Sequence, residues 1–223
     1  MGSRRRGLRM TLVLLALVSA TGVAAWWLTH QAPAAAPHAP PAPSVSAPAA
    51  AAPASTAVEA LRSIEIGPLD PAAGYSRLLF GSGWLDPDGN GCDARNDILR
   101  RDLTGVVLRP RTNGCIVERG TLRDPYTGAE FAFERGPDTS GQVQIDHVVS
   151  LANAWRTGAQ AWSVPRRVAF ANDPLELLAV LKQTNADKDG ADAASWLPPR
   201  PELRCSFVAR QVAVKARYRL RMT

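Results

Sequence analysis

The sequence has little histidine, little cysteine and no acidic residue before Glu59. Only His30, His38 and His147 are present. The first two sit in a leader and an Ala/Pro tract, so a domain starting near residue 58 has a single histidine for proton chemistry at neutral pH. Cys92, Cys115 and Cys205 are far apart and form no Cys-x-x-Cys pair, which removes the usual ligand set of a structural zinc. No Gly-x-Ser-x-Gly elbow occurs. An aspartate directly before the histidine cannot orient it across a Ser-His-Asp triad, which argues against a serine hydrolase. No helix-turn-helix or zinc-finger pattern is present to read bases. The overall charge of +6 is also a poor guide to partners. Arg4, Arg5, Arg6 and Arg9 are four of the 26 basic residues, and all 20 acids lie from Glu59 onward. The rest therefore carries 22 basic against 20 acidic groups, a net +2, too small to argue nucleic-acid binding.

The positive start "MGSRRRGLRM" is followed by Thr11 to Leu28, 18 residues without a charge, about 27 Å long as a helix at ~1.5 Å per residue. Residues 1–30 read as a signal peptide cleaved after "VAA" or "APA", or as a signal anchor with Trp26 and Trp27 at the outer interface. Either places the remainder outside the cytoplasm, secreted or membrane-anchored. Residues 31–57 are almost entirely Ala, Pro and Ser, a linker without the large apolar residues that ordering requires. Outside the cytoplasm three cysteines give one disulfide and one thiol. The turn-like, glycine-flanked settings of Cys92 and Cys115 favour that pair, although spacing leaves all three pairings open.

Residues 58–223 read as one α+β domain. Residues 58–77 suggest a short strand or helix and a turn. Asp86 to Gly91 is a turn cluster, followed by helical spacing of Ile98, Leu99 and Leu103. Cys115–Val117, the turn "DPYTG" with Asp124, and the alternating "AEFAFE" form a β-hairpin. "VQIDHVVSL" is a buried strand, "ANAWRTGAQAW" and "PRRVAFAND" are short helices, and "PLELLAV" is a second strand. "TNADKDGADAASWLPP" opens on a Thr/Asn helix cap. The last helix turns Leu203, Phe207, Val208 and Val212 inward. From Arg200 onward seven basic residues face one acid, Glu202, which fits a solvated face or a phosphate-binding stripe. Arg95, Arg100 and Arg101 suit local ion pairs or a groove wall, and Trp155, Trp162 and Trp196 suit the core.

"IDHVVSLANAW", "FANDPLELLAV", "NADKDGADAASWLPP" and "VARQVAVKARY" follow one another in an order that resembles the HNH, or ββα-metal, nucleases. They are most similar to secreted actinobacterial proteins related to the C-terminal domain of the GmrSD restriction endonucleases. The resemblance covers roughly Cys92 to Tyr218. It implies a ββα-metal core with flanking helices and an N-terminal hairpin region, and an endonuclease acting on DNA or RNA with a divalent metal ion, magnesium or else manganese. His147 is the implied general base, and Asp146 and Asn185 the metal ligands. Lys188, one turn past Asn185, can reach phosphate or remain a surface lysine.

The chemistry suits these residue types. A phosphodiester needs a base for water, a cation for developing charge and fixed geometry. Histidine ionises near pH 6.5. Magnesium takes oxygen ligands and often only one or two from protein. Adjacent strand residues point to opposite faces, so Asp146 and His147 can serve one phosphate only if the strand ends there. Glu176 stands where the resembling family usually has asparagine. It can orient His147, approach the metal or mark a weakened enzyme, leaving Asn172 as a partial substitute. The rival expectation is an envelope-anchored nucleic-acid-binding or scaffolding module with a decayed site. No protein partner is implied.

Overall fold

Residues 54–223 are described here in a computed structural model; the expected leader and most of the linker lie outside them. Helix α1 (Ala54–Ser63) occupies the stretch where a short strand or helix was expected. It is followed by a 3-10 turn, Arg77–Phe80. Helix α2 (Ala94–Asp102) is capped by the Asp93 carboxylate, which accepts from the N–H of Asn96. Leu103 then begins strand β1 (Leu103–Leu108) and does not extend the helix. Strands β2 (Val117–Arg123) and β3 (Glu130–Glu134) complete an antiparallel sheet of order β1-β2-β3. The β2–β3 turn contains Asp-Pro-Tyr-Thr-Gly, but β2 runs from Val117 to Arg123 and not from Cys115 to Val117. Gly105, at φ 60°, lies where the β1–β2 register shifts, a conformation glycine adopts without steric cost.

Strand β4 (Val143–His147) and strand β5 (Leu177–Leu181) form a second, two-stranded antiparallel sheet, with His147 opposite Leu177 and Asp146 opposite Leu178. Between them lie helix α3 (Leu151–Arg156), a 3-10 turn (Ala159–Ala161) and helix α4 (Val164–Ala171). Helix α5 (Lys182–Lys188) follows β5 without a break, and helix α6 (Pro201–Tyr218) ends the domain. The fold is therefore α+β, with a strand–strand–helix series, β4-β5-α5, at its centre.

The second sheet is covered on both sides, which explains its β-branched composition. Val143, Ile145, Leu177 and Ala179 join Ile98, Leu99, Leu103, Val117, Leu122 and Phe133 in one apolar layer shared with the first sheet. On the other face, Val180 packs with Tyr126, Val148 and Phe207 beneath α6. At about 25 cal/mol per Å² of buried apolar surface, these layers supply the main driving force for folding. Arg101 and Asp102, at the end of α2, clip the sheets together. Arg101 donates to the carbonyls of Pro174 and Leu177, and Asp102 accepts the N–H of Ala179 at 2.8 Å.

Cys92 and Cys115 form the disulfide, and Cys205 is a free, exposed thiol. Trp155 is buried in the core, while Trp162 and Trp196 are packed against it. The C-terminal basic residues make neither a plain solvated face nor a free stripe. Arg210 donates to the carbonyls of Leu175, Pro174 and Leu177, Arg217 pairs with Asp173, and Arg221 pairs with Asp70. Lys215 is buried and bonds the carbonyl of Arg221.

The loop before α2 and the first turn of that helix have the spacing Asp86-x-Asp88-x-Asn90-Gly91-x5-Asp97, the donor order of calcium-binding loops. Here the Asn90 amide itself bonds Asp88 and Asp97. Among the described residues no group of three or more His, Cys, Asp or Glu is disposed to hold a metal ion. No helix among them is long and apolar enough to cross a membrane.

Candidate active site

Strand β4 ends at His147, the condition under which Asp146 and His147 can serve one site. Asp146 and His147 leave opposite faces of β4, yet both border one cleft of about 260 Å³. Arg77, Gln144, Ser150, Asn185 and Asp189 line it with them.

His147 is buried. Its Nε2 lies 3.0 Å from the carbonyl oxygen of Ala171, one of the last carbonyls of α4, which have no partner within the helix. A carbonyl only accepts, so Nε2 carries the proton and Nδ1 is left with a free lone pair. The ring stacks on Trp84, with centroids 5.8 Å apart and planes at 17°. Burial, together with the positive charges of Arg77 and Lys188, brings the imidazole pKa down to about 3, against the opposing pull of the Ala171 carbonyl. The ring is neutral at physiological pH.

Asp146 lies within the aromatic cluster of the other face. Its Oδ2 accepts the Tyr126 hydroxyl at 2.7 Å, and its Oδ1 accepts Lys188 Nζ at 3.0 Å. Burial raises the carboxyl pKa, and the charge and hydrogen bonds of Lys188 and Tyr126 oppose that rise. Lys188 is fully buried and also donates to the carbonyl of His147. It is thus neither the phosphate contact nor the surface lysine that its spacing suggested. It is the internal counter-ion of Asp146 and a tie on the end of β4.

Asn185, one turn earlier on α5, is half-buried in the cleft. Its Nδ2 donates to Gln144 Oε1 at 2.7 Å, which leaves Oδ1 as its acceptor end. The helix is not capped by Thr184 or Asn185; it starts at Lys182, directly from β5. Thr184 is instead buried and donates its hydroxyl to Asp124 Oδ2 at 2.9 Å, tying α5 to the β2–β3 turn. Asp124 therefore does more than form a turn.

Glu176 is fully buried and does not border the cleft. Its Oε2 accepts the N–H of Val149 and its backbone carbonyl accepts that of Val148, so it holds the two residues that follow His147. Its Oε1 has no partner among the described residues, and burial raises its pKa well above the usual carboxylate range. Asn172 is no substitute: its amide bonds Leu85 and Val168. Arg95 lies in a neighbouring cleft but donates to the carbonyls of Ser140 and Val143. Arg100 reaches Asp97 and the Gly114 carbonyl.

Sequence reasoning missed Arg77, Trp84, Tyr126, Gln144 and Asp189. Gln144 was accessible in principle, since strand period 2 places it on the face of Asp146. Asp189, four residues past Asn185 and directly after Lys188, was accessible in the same way; Arg77, Trp84 and Tyr126 come from other segments without a spacing signal. The oxygens that could hold a hard, oxygen-preferring divalent ion are those of Asp146 and Asn185, although Tyr126 and Lys188 each already bond one Asp146 oxygen. The carboxylate of Asp146 has further lone pairs, Asn185 Oδ1 is a second oxygen, and the cleft leaves room for the waters that magnesium retains.

In comparisons with known proteins, no solved structure matches. A protein from the fungus Arthroderma benhamiae, described as an uncharacterized secreted protein, is 34% identical over 169 residues, covering 75% of this chain and 78% of its own length. The family model for the C-terminal domain of GmrSD restriction endonucleases matches residues 93–223. That span contains β4, β5, α5 and all five residues singled out for the site, and the chain belongs to that family.

Proposed function

We propose that this protein is a metal-dependent HNH-type endonuclease that hydrolyses phosphodiester bonds of DNA, and of RNA where it is offered, outside the cytoplasm. The observation that carries the reading is the fixed tautomer of His147. Nε2–H is bound to the Ala171 carbonyl, which leaves Nδ1 as the unprotonated nitrogen, and His147 borders one cleft with Asp146 and Asn185. That arrangement suits a general base that takes a proton from water at Nδ1. Trp84 and Ala171 hold the ring in place, and the Lys188 ammonium favours the carboxylate form of Asp146 against the effect of burial. Asp146 and Asn185 would hold magnesium, or manganese, which supplies Lewis-acid stabilisation of charge on the phosphate and leaving oxygen. Glu176 and Lys188 are positioning residues in this scheme. The secreted relative and the Cys92–Cys115 disulfide support an extracytoplasmic site of action.

The strongly depressed basicity of His147 favours a second reading, a nucleic-acid-binding module with a weakened site. The two are separated by incubating the full-length protein and His147→Ala with plasmid and single-stranded DNA, with magnesium or manganese and with chelator. Metal-dependent nicking that disappears in the variant supports the enzyme. Retardation of DNA by both proteins without cutting supports the binding module.

A further inference from the structure

The His147 cleft continues into a second, more open cleft of about 560 Å³, and the two share Arg77, Gln144, Ile145 and Asn185. A polyanionic strand entering this groove meets Asp189 and, where no metal is bound, Asp146, and an exposed cation on the groove offsets their repulsion. Lys188 is buried and paired with Asp146, and Arg95 is committed to two backbone carbonyls. Arg77 differs from both. It is exposed and borders both clefts. Among the described residues, no carboxylate lies within ion-pair distance of it. Its charge is felt at both Asp146 and His147.

The short turn that carries Arg77 is firmly held. Ser76 Oγ accepts the N–H of Leu78, and the Leu79 carbonyl accepts Arg167 Nε at 3.1 Å. Phe80 is buried 6.2 Å from the ring of Phe170. Gly81 follows at φ 96°, where a Cβ would lie only 3.3 Å from Val168.

We propose that Arg77 is the phosphate-binding residue of this site, and that the segment from Tyr75 to Trp84, N-terminal to the family-matched residues, completes the groove for a nucleic-acid strand. The inference rests on the nuclease reading for its substrate. A guanidinium is permanently charged and matches two phosphate oxygens with two parallel N–H donors.

The test uses the full-length protein, Arg77→Ala and Arg77→Lys. Binding to fluorescein-labelled duplex DNA is followed by anisotropy over a salt series in chelator, and cleavage is followed with magnesium. Arg77→Ala is expected to weaken binding equally across sequences and to make the slope of log K against log salt shallower by about 0.9. It is also expected to lower cleavage roughly 10²-fold, the loss typical for one preorganised donor to developing charge. Arg77→Lys keeps the slope, because the charge remains, but loses cleavage, because the fork does not. An unchanged salt slope in Arg77→Ala overturns the proposal, whatever the cleavage rate. A wild type that does not cut but whose slope falls in Arg77→Ala leaves Arg77 as the phosphate contact and removes the nuclease reading. A wild type that binds no DNA removes both.

Discussion

The two sheets share one apolar layer but treat charge in opposite ways. In the three-stranded sheet, charged side chains stand outside: Arg109, just past the end of β1, pairs with Glu118 of β2, with about half and a third of their side chains exposed. Beneath them the packing is aliphatic and aromatic, and the disulfide fastens the loop before α2 to the start of β2. In the two-stranded sheet and the helix after it, Asp146, His147, Glu176 and Lys188 are each 6% exposed or less. Enclosing charge in this way carries a desolvation penalty that apolar side chains of similar size would avoid. The first region is thus arranged for stability. The second retains costly groups whose geometry, not whose energy, accounts for them.

Removing the buried cation tests the contrast most severely. Lys188→Met leaves Asp146 buried and unpaired, and should destabilise the fold by about 3–5 kcal/mol. Adding Asp146→Leu should restore most of that stability without restoring cleavage, as denaturant melts beside nicking assays will show. A double variant no more stable than Lys188→Met would mean that the pair itself holds the fold together. The disulfide should behave in the opposite way. It closes a sequence separation of 23 residues, for which chain entropy gives about 3 kcal/mol. Cys92→Ser/Cys115→Ser should therefore melt earlier while each folded molecule cuts at the wild-type rate. A loss of specific activity in that variant would erase the division between the two regions.

What the sequence made legible follows the same division. Strands β4 and β5 were readable because both faces are covered, which demands β-branched runs. Asp146, His147 and Asn185 were readable because their order along strand, strand and helix is local. Strand β1 was hidden because Leu103 continues the helical spacing of Ile98 and Leu99, and only the pairing of Leu103 with Leu122 shows where the helix ends. The start of α5 was misplaced because the Thr184 hydroxyl serves a tertiary bond to Asp124, 60 residues away, and not a cap. The role of Lys188 was out of reach, since a lysine one turn past an asparagine looks the same whether it faces solvent or a buried carboxylate. Arg77 and Trp84 come from a segment at least 63 residues upstream of His147, and only folding brings them to it.

The finest test of the comparison concerns the two buried titrating groups on either side of the β4–β5 pairing. Glu176→Ala removes the acceptor of the Val149 N–H and should cost about 1–3 kcal/mol. Glu176→Gln keeps an acceptor and should keep both fold and cleavage. The pH dependence separates their charges. The folded-state pKa of Glu176 is raised, so above about pH 4.5 the folded state holds a proton that the unfolded chain has released, and this group lowers stability as pH rises. His147 is depressed to about 3. Below about pH 6.5 the unfolded chain binds a proton that the folded state refuses, and stability falls as pH drops. Between about pH 4.5 and 6.5 the two groups act on stability in opposite directions, each by at most about 1.4 kcal/mol per unit. Glu176→Gln should leave a stability that rises with pH across that window, and His147→Gln one that falls. Urea melts at half-unit intervals measure both. Parallel curves for wild type and the two variants would show that neither group is enclosed as described.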